Sequence, residues 1–79
     1  MEEIEVNARF LPGGSVIPLN FIWKDTTYKV DTVGRNWSSE DGFHILVMDI
    51  NSQVFHLVFY PQKKIWYLIP GWDSRSSFA

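Results

Sequence analysis

The chain contains no cysteine. Disulfides and thiolate chemistry are therefore excluded, and packing alone must hold the fold together. This fits a reducing compartment. No apolar run approaches the roughly 18 residues of a membrane-spanning helix. Basic residues are not in excess: seven Lys and Arg face nine Asp and Glu, a net charge of -2. A dedicated nucleic-acid binder usually carries a basic surplus. The start, Met1-Glu2-Glu3-Ile4-Glu5, is acidic, whereas a secretory signal needs a basic start and an apolar stretch. A cytoplasmic location is expected, and the sequon Asn36-Trp37-Ser38 is then incidental. Helical periodicity is nearly absent.

What remains is apolar material arranged with a period of two. Of 79 residues, 46% are hydrophobic and 16% aromatic, with four Trp, six Phe and three Tyr. That is too apolar for a disordered chain and long enough for one core only. One β domain is predicted over residues 1–72, with a flexible tail over 73–79. Ile4, Val6, Ala8 and Phe10 alternate with Glu5, Asn7 and Arg9, the mark of a half-buried strand. Pro12-Gly13-Gly14 breaks it. Val16 to Lys24 follows, and Pro18 marks an edge, a bulge or a strand start, so the strand proper is expected at Leu19–Lys24. A tight turn at Asp25-Thr26 leads to a strand over Thr27–Val33, with Gly34 a bulge or bend. Trp37 reads as a core anchor or strand end. Ser38-Ser39-Glu40-Asp41-Gly42 reads as a mobile loop. Phe43–Ile50 and Gln53–Tyr60 form a hairpin about Asn51-Ser52. Pro61-Gln62-Lys63-Lys64 turns into a last strand over Ile65–Ile69. Trp72 is placed to cap a barrel end or to dock on a neighbouring subunit.

If Asn51 and Ser52 are the whole loop, Ile50 faces Gln53, Met48 faces Phe55, Leu46 faces Leu57 and His44 faces Phe59. Pairing Tyr60 with Ile65 extends the register to Phe59–Trp66 and Leu57–Leu68. One face then collects Leu46, Met48, Ile50, Phe55, Leu57, Phe59, Trp66 and Leu68. The other collects Phe43, Ile45, Val47, Val54, His56, Val58, Tyr60, Ile65, Tyr67 and Ile69. Both are apolar, unlike an antiparallel sheet with one wet side. With no helix to cover either, the pattern predicts an all-β, strongly curved antiparallel meander of five to six strands, a small SH3-like or similar barrel. Its second face, with Ile45, Val47, Val54, Val58 and Tyr67, is expected to close against a second copy. A loop one residue longer would slip the register and mix the faces.

Candidate chemistry is sparse. This register puts His44 and His56 on opposite faces, so they cannot share a metal, and zinc would want about four ligands. Asp49 shares a face with His56, but no serine or cysteine nucleophile stands beside that pair. Glu40, Asp41, Asp25 and Asp31 read as turn and surface carboxylates. Pro12-Gly13-Gly14-Ser15 lacks the lysine and following helix of a phosphate loop. No catalytic residue, metal site or cofactor is expected. Lys24, Lys29, Arg35, Lys63 and Lys64, with Trp66, are candidates for a basic and aromatic nucleic-acid surface.

The order Phe10, Pro12, Pro18, Phe21, Trp23, Tyr28, Val30, Val33, Trp37, then Phe43, the hydrophobic hairpin, Leu57 and Lys63 to Trp66-Tyr67-Leu68 resembles a group of short, largely uncharacterised bacterial β-domains. Relatives of that kind occur alone or beside proteins related to DNA-repair polymerases. The resemblance spans nearly all of residues 10–68. It implies a compact β fold and allows an accessory role beside DNA, and it brings no catalytic residue. The acidic balance and the lack of a large attached domain depart from a DNA-handling role. The first expectation is a non-enzymatic protein that acts by protein–protein contact, as a homodimer. The alternative is a nucleic-acid-associated module linked to DNA repair.

Overall fold

The computed structural model describes residues 2–71. The expectations for Trp72 and for a tail over 73–79 lie outside the described residues. Six strands follow one another: β1 (Glu2–Phe10), β2 (Val16–Trp23), β3 (Thr26–Ser39), β4 (Gly42–Asp49), β5 (Val54–Tyr60) and β6 (Ile65–Ile69). Each pairs antiparallel with the next, and β1 pairs with β6 to close a six-stranded barrel. Closure uses Glu2–Leu68, Glu3–Tyr67 and Ile4–Trp66.

Two hairpins share one device. In β1–β2, Leu11 N–H bonds to Ser15 O and Gly14 N–H to Leu11 O, with Gly14 at φ 92. In β4–β5, Asp49 N–H bonds to Gln53 O and Ser52 N–H to Asp49 O, with Ser52 at φ 62. Both are three-residue loops, a turn followed by a left-handed residue. The β2–β3 hairpin is tighter, with Lys24 at φ 50 and Asp25 at φ 61, the two positive angles of a type I′ turn. It forms one residue before the expected Asp25-Thr26, because Thr26 already pairs with Trp23.

β3 is the longest strand, at 14 residues. It pairs with β2 through Thr26–Lys29 and with β4 through Val30–Ser39. Register shifts at Val30/Thr32 and at Val33/Asn36 insert residues that bend it from one partner to the other. The second shift contains Gly34, as its sequence position suggests. The polar stretch expected to be a mobile loop is mostly strand: Ser38 and Ser39 end β3, and Gly42 begins β4. Gly42 sits at φ 132, and a Cβ there would stand 2.5 Å from Phe59 O.

The β4–β5 loop corrects the expected register. Ile50, Asn51 and Ser52 are all loop residues, and Met48 pairs with Val54, Ile45 with Leu57 and His44 with Val58. β4 is flipped relative to expectation. β5–β6 pairs as expected, with Tyr60–Ile65, Phe59–Trp66 and Leu57–Leu68. The interior holds Phe21, Ile45, Val47, Leu57, Phe59, Trp66 and Leu68, with Ile4, Val6, Ala8, Tyr28 and Phe55 among those packed against them. Tyr28 stacks on Phe21 and tilts against Phe55. Burying an aliphatic side chain such as Leu57 stabilises the fold by about 1.5–3 kcal/mol.

Asp49 holds the decisive loop. It is 5% exposed, and its Oδ1 accepts from the Asn51 and Gln53 amides, both at 2.9 Å. Hydrogen bonds to a charged acceptor contribute about 1.5–3 kcal/mol. Asp49→Ala should therefore lower unfolding stability by about 1–3 kcal/mol. Ser52→Gly should raise it by up to about 1 kcal/mol, since a left-handed non-glycine residue costs about 1–2 kcal/mol. Urea denaturation of the two variants checks both signs.

Candidate functional site

Two regions of the surface stand out. The first is a polar chain on the outer side of β3–β4–β5. In the corrected register His44 and His56 share that outer side, one pair apart across the β4–β5 ladder. His44 Nδ1 and His56 Nε2 are 2.7 Å apart. At the other ring nitrogen, His44 Nε2 lies 2.8 Å from Asp41 Oδ1 and 2.7 Å from Ser39 Oγ. Ser39 Oγ in turn donates to Asp41 Oδ1. Trp37, next to Ser38 at the end of β3, stacks on His44 with centroids 5.0 Å apart and tilts against His56 at 5.3 Å. The Arg35 guanidinium lies 5.2 Å from the Trp37 ring. Trp37 thus serves this outer cluster and not the barrel core.

The carboxylate fixes the proton on one side of His44. An ionised carboxylate only accepts, so His44 Nε2–H points toward Asp41. Between His44 Nδ1 and His56 Nε2 a single proton is shared as one hydrogen bond, one ring donating and the other accepting. The bonds from Ser39 and His44 hold the Asp41 carboxyl down to about 2. Burial pushes His56 below the ordinary imidazole value, His44 adds to the shift, and Asp41 opposes it.

The Ser39–Asp41–His44 cluster does not have the geometry of a serine-nucleophile triad. In that arrangement serine and carboxylate engage opposite nitrogens of one imidazole. Here both engage Nε2, and the other nitrogen is occupied by His56. Among the described residues, no three His, Cys, Asp or Glu side chains are placed to hold a metal ion. Asp49, expected beside His56, is instead committed to the β4–β5 loop. What the cluster does is fix Asp41 beside Tyr60, Tyr67 and Glu40, which line one cleft with it. It also ties the β3–β4 turn to β5.

The second region is the free flank of β1. Among the described residues, β1 beyond Ile4 has a neighbour on one side only: Glu5–Phe10 pair with β2 and not with β6. Beside that flank runs a groove of about 580 Å³ lined by Val6, Phe10, Phe59, Pro61, Lys64 and Trp66. Phe10 is 59% exposed, resting edge-on against Phe59 at 5.4 Å. Sequence patterning assigned Phe10 to a strand but gave no signal of its exposure, which follows from the shortness of β6.

The expected self-association face does not exist as one surface. Ile45 and Val47 are core residues, because the longer loop turns them inward. Val54, Val58 and Tyr67 lie on the outer side. There Leu46 and Val58 are 0% exposed, whereas Val54 and Tyr67 stay half-buried. The basic candidates do not converge either. Turns of a meander alternate between its two ends, which puts Lys24, in the β2–β3 turn, at the end opposite Lys63 and Lys64, in the β5–β6 turn. Lys24 lies over the Trp23 ring and Lys63 near Tyr60. Lys29 is exposed in mid-β3. Trp66 packs inside against Phe59 and is 6% exposed, which removes it from any stacking surface.

No family model, curated protein or solved structure matches the chain.

The histidine pair makes a pH prediction with a definite sign. As pH falls below 6.5, the ordinary histidine value, the unfolded chain takes up a proton at residue 56 before the folded chain does. Folding stability therefore falls with falling pH through that window. The Asp41 contribution is lost only as pH falls from the ordinary 3.8 through about 2. Thermal unfolding should show a lower Tm at pH 5 than at pH 7.5, and His56→Gln should shrink that difference.

Proposed function

We propose that this barrel is a non-enzymatic contact module that works by protein–protein association, with a second copy of itself as the first partner. One observation carries the reading: a strand flank that has no partner among the described residues, with an exposed aromatic at its end. A strand edge with free N–H and C=O groups is a template for another strand. Phe10 and the groove beside it add apolar surface where that strand would lie. The interior is occupied by its own side chains, so recognition falls to the outside. The placement of Lys24 at the barrel end opposite Lys63 and Lys64 lends less support to a nucleic-acid role, as does the net charge of -2.

Size-exclusion chromatography with light scattering tests the reading. The expected result is a concentration-dependent mass that approaches twice 9.2 kDa. Phe10→Ser should keep the barrel's circular dichroism and lower the fraction of dimer at a given concentration. A monomer at every concentration would leave self-association without support.

A further inference from the structure

We infer that the second copy adds to β1 itself, antiparallel and about a two-fold axis through Asn7, so that Glu5 of each copy lies opposite Arg9 of the other. The inference rests on the self-association reading and gives it a geometry. The edge is selected by elimination. In β2, Val16–Leu19 also lack a partner on the β3 side among the described residues, but Pro18 has no N–H and the chain bulges at Leu19, where Asn7–Asn20 gives way to Ala8–Pro18. The stretch of β3 beyond Lys29 is bent by its two register shifts. Prolines and bulges blunt an edge against pairing. β1 from Glu5 to Phe10 contains neither: its one irregularity is taken up by the additional residue in β2.

Face matching then restricts the register. Glu5, Asn7 and Arg9 are exposed, while Val6 and Ala8 are half-buried and pack on the core. Paired residues in a β ladder project to the same side, so an exposed residue must meet an exposed one. A two-fold pairing centred on Glu5 sets Glu5 against Glu5, and one centred on Arg9 sets Arg9 against Arg9. Like charges directly opposite are destabilising. Centring on Val6 or Ala8 leaves Glu5 or Arg9 opposite Asn7. Centring on Asn7 alone pairs Glu5 with Arg9 twice, Asn7 with Asn7, and Val6 with Ala8. The pairing ends at these residues because Ile4 is already bonded to Trp66. A two-fold contact of this kind is self-complementary and closed.

A cysteine-free chain allows a clean test. Asn7→Cys should form a covalent dimer on mild oxidation, since residue 7 meets its own copy at the axis within disulfide reach. Ile50→Cys, 74% exposed in the β4–β5 turn at the end away from Phe10, should stay monomeric under the same oxidation. Arg9→Glu and Glu5→Arg should each weaken dimerisation about ten-fold by light scattering, and the double variant should restore it. Circular dichroism of each variant reports that the barrel is intact. A dimer with no Asn7→Cys cross-link and no charge-swap effect overturns this geometry and leaves self-association standing. A protein monomeric throughout overturns both.

Discussion

A single carboxylate decides which way the β4–β5 hairpin faces. Asp49 gathers the Asn51 and Gln53 amides and so stabilises a loop of three residues where Asn51-Ser52 alone would make two. The additional residue is Ile50, spent in the loop at 74% exposed. Because strand side chains alternate, one residue in the loop reverses every side chain of β4. Ile45 and Val47 enter the core, while His44 and Leu46 go outside. The histidine pair, the cleft wall at Asp41 and the composition of the interior all follow from that one turn. Its amino acids make the outcome intelligible: aspartate is favoured at the first position of a type I turn, and its side chain caps the amides that the turn leaves free.

Much of the fold is legible in the sequence because apolar alternation is strong on both sides of most turns. β1, the β5–β6 register and the bulge near Gly34 are all readable in that way. The β4–β5 face is not, for a physical reason. Both faces of that hairpin are apolar, so hydrophobicity cannot select between registers. The remaining signal is turn chemistry. Asn-Ser and Asp-Ile-Asn-Ser compete there, and the second brings its own hydrogen-bond acceptor. The histidine cluster was hidden by the same slip, since two histidines twelve positions apart meet only in the register that Asp49 enforces. The free edge of β1 was hidden differently: it depends on β6 being five residues long while β1 has nine.

The polar chain and the β1 edge answer opposite problems of a barrel this small. Along β4–β5 the outer side at His44, Leu46, His56 and Val58 is itself withdrawn from water, and polar atoms placed there need partners. Ser39, Asp41, His44 and His56 supply one another. Four side chains from a strand end, a turn and two strands then act as one unit that clamps the β3–β4 corner. Burial costs His56 its charge near neutrality and Asp41 keeps its own, so the unit is held by hydrogen bonds to one fixed anion.

At β1 the problem is an edge and not a face. Among the described residues, closure with three residue pairs leaves the rest of β1 without a second neighbour, and an open edge can recruit strands without limit. The order Glu5, Asn7, Arg9 restrains this. Charges of opposite sign placed evenly about an uncharged centre favour one antiparallel partner in one register and oppose the shifted ones. A two-fold pairing consumes both free edges at once, which leaves no edge for a third chain. The other unpaired stretches are blunted by Pro18, by the bulge at Leu19 and by the bends of β3. In the proposed dimer, a charge pattern that admits a single copy would do at β1 what proline and irregular register do elsewhere. The same barrel can therefore keep one edge available for association without growing into a fibre.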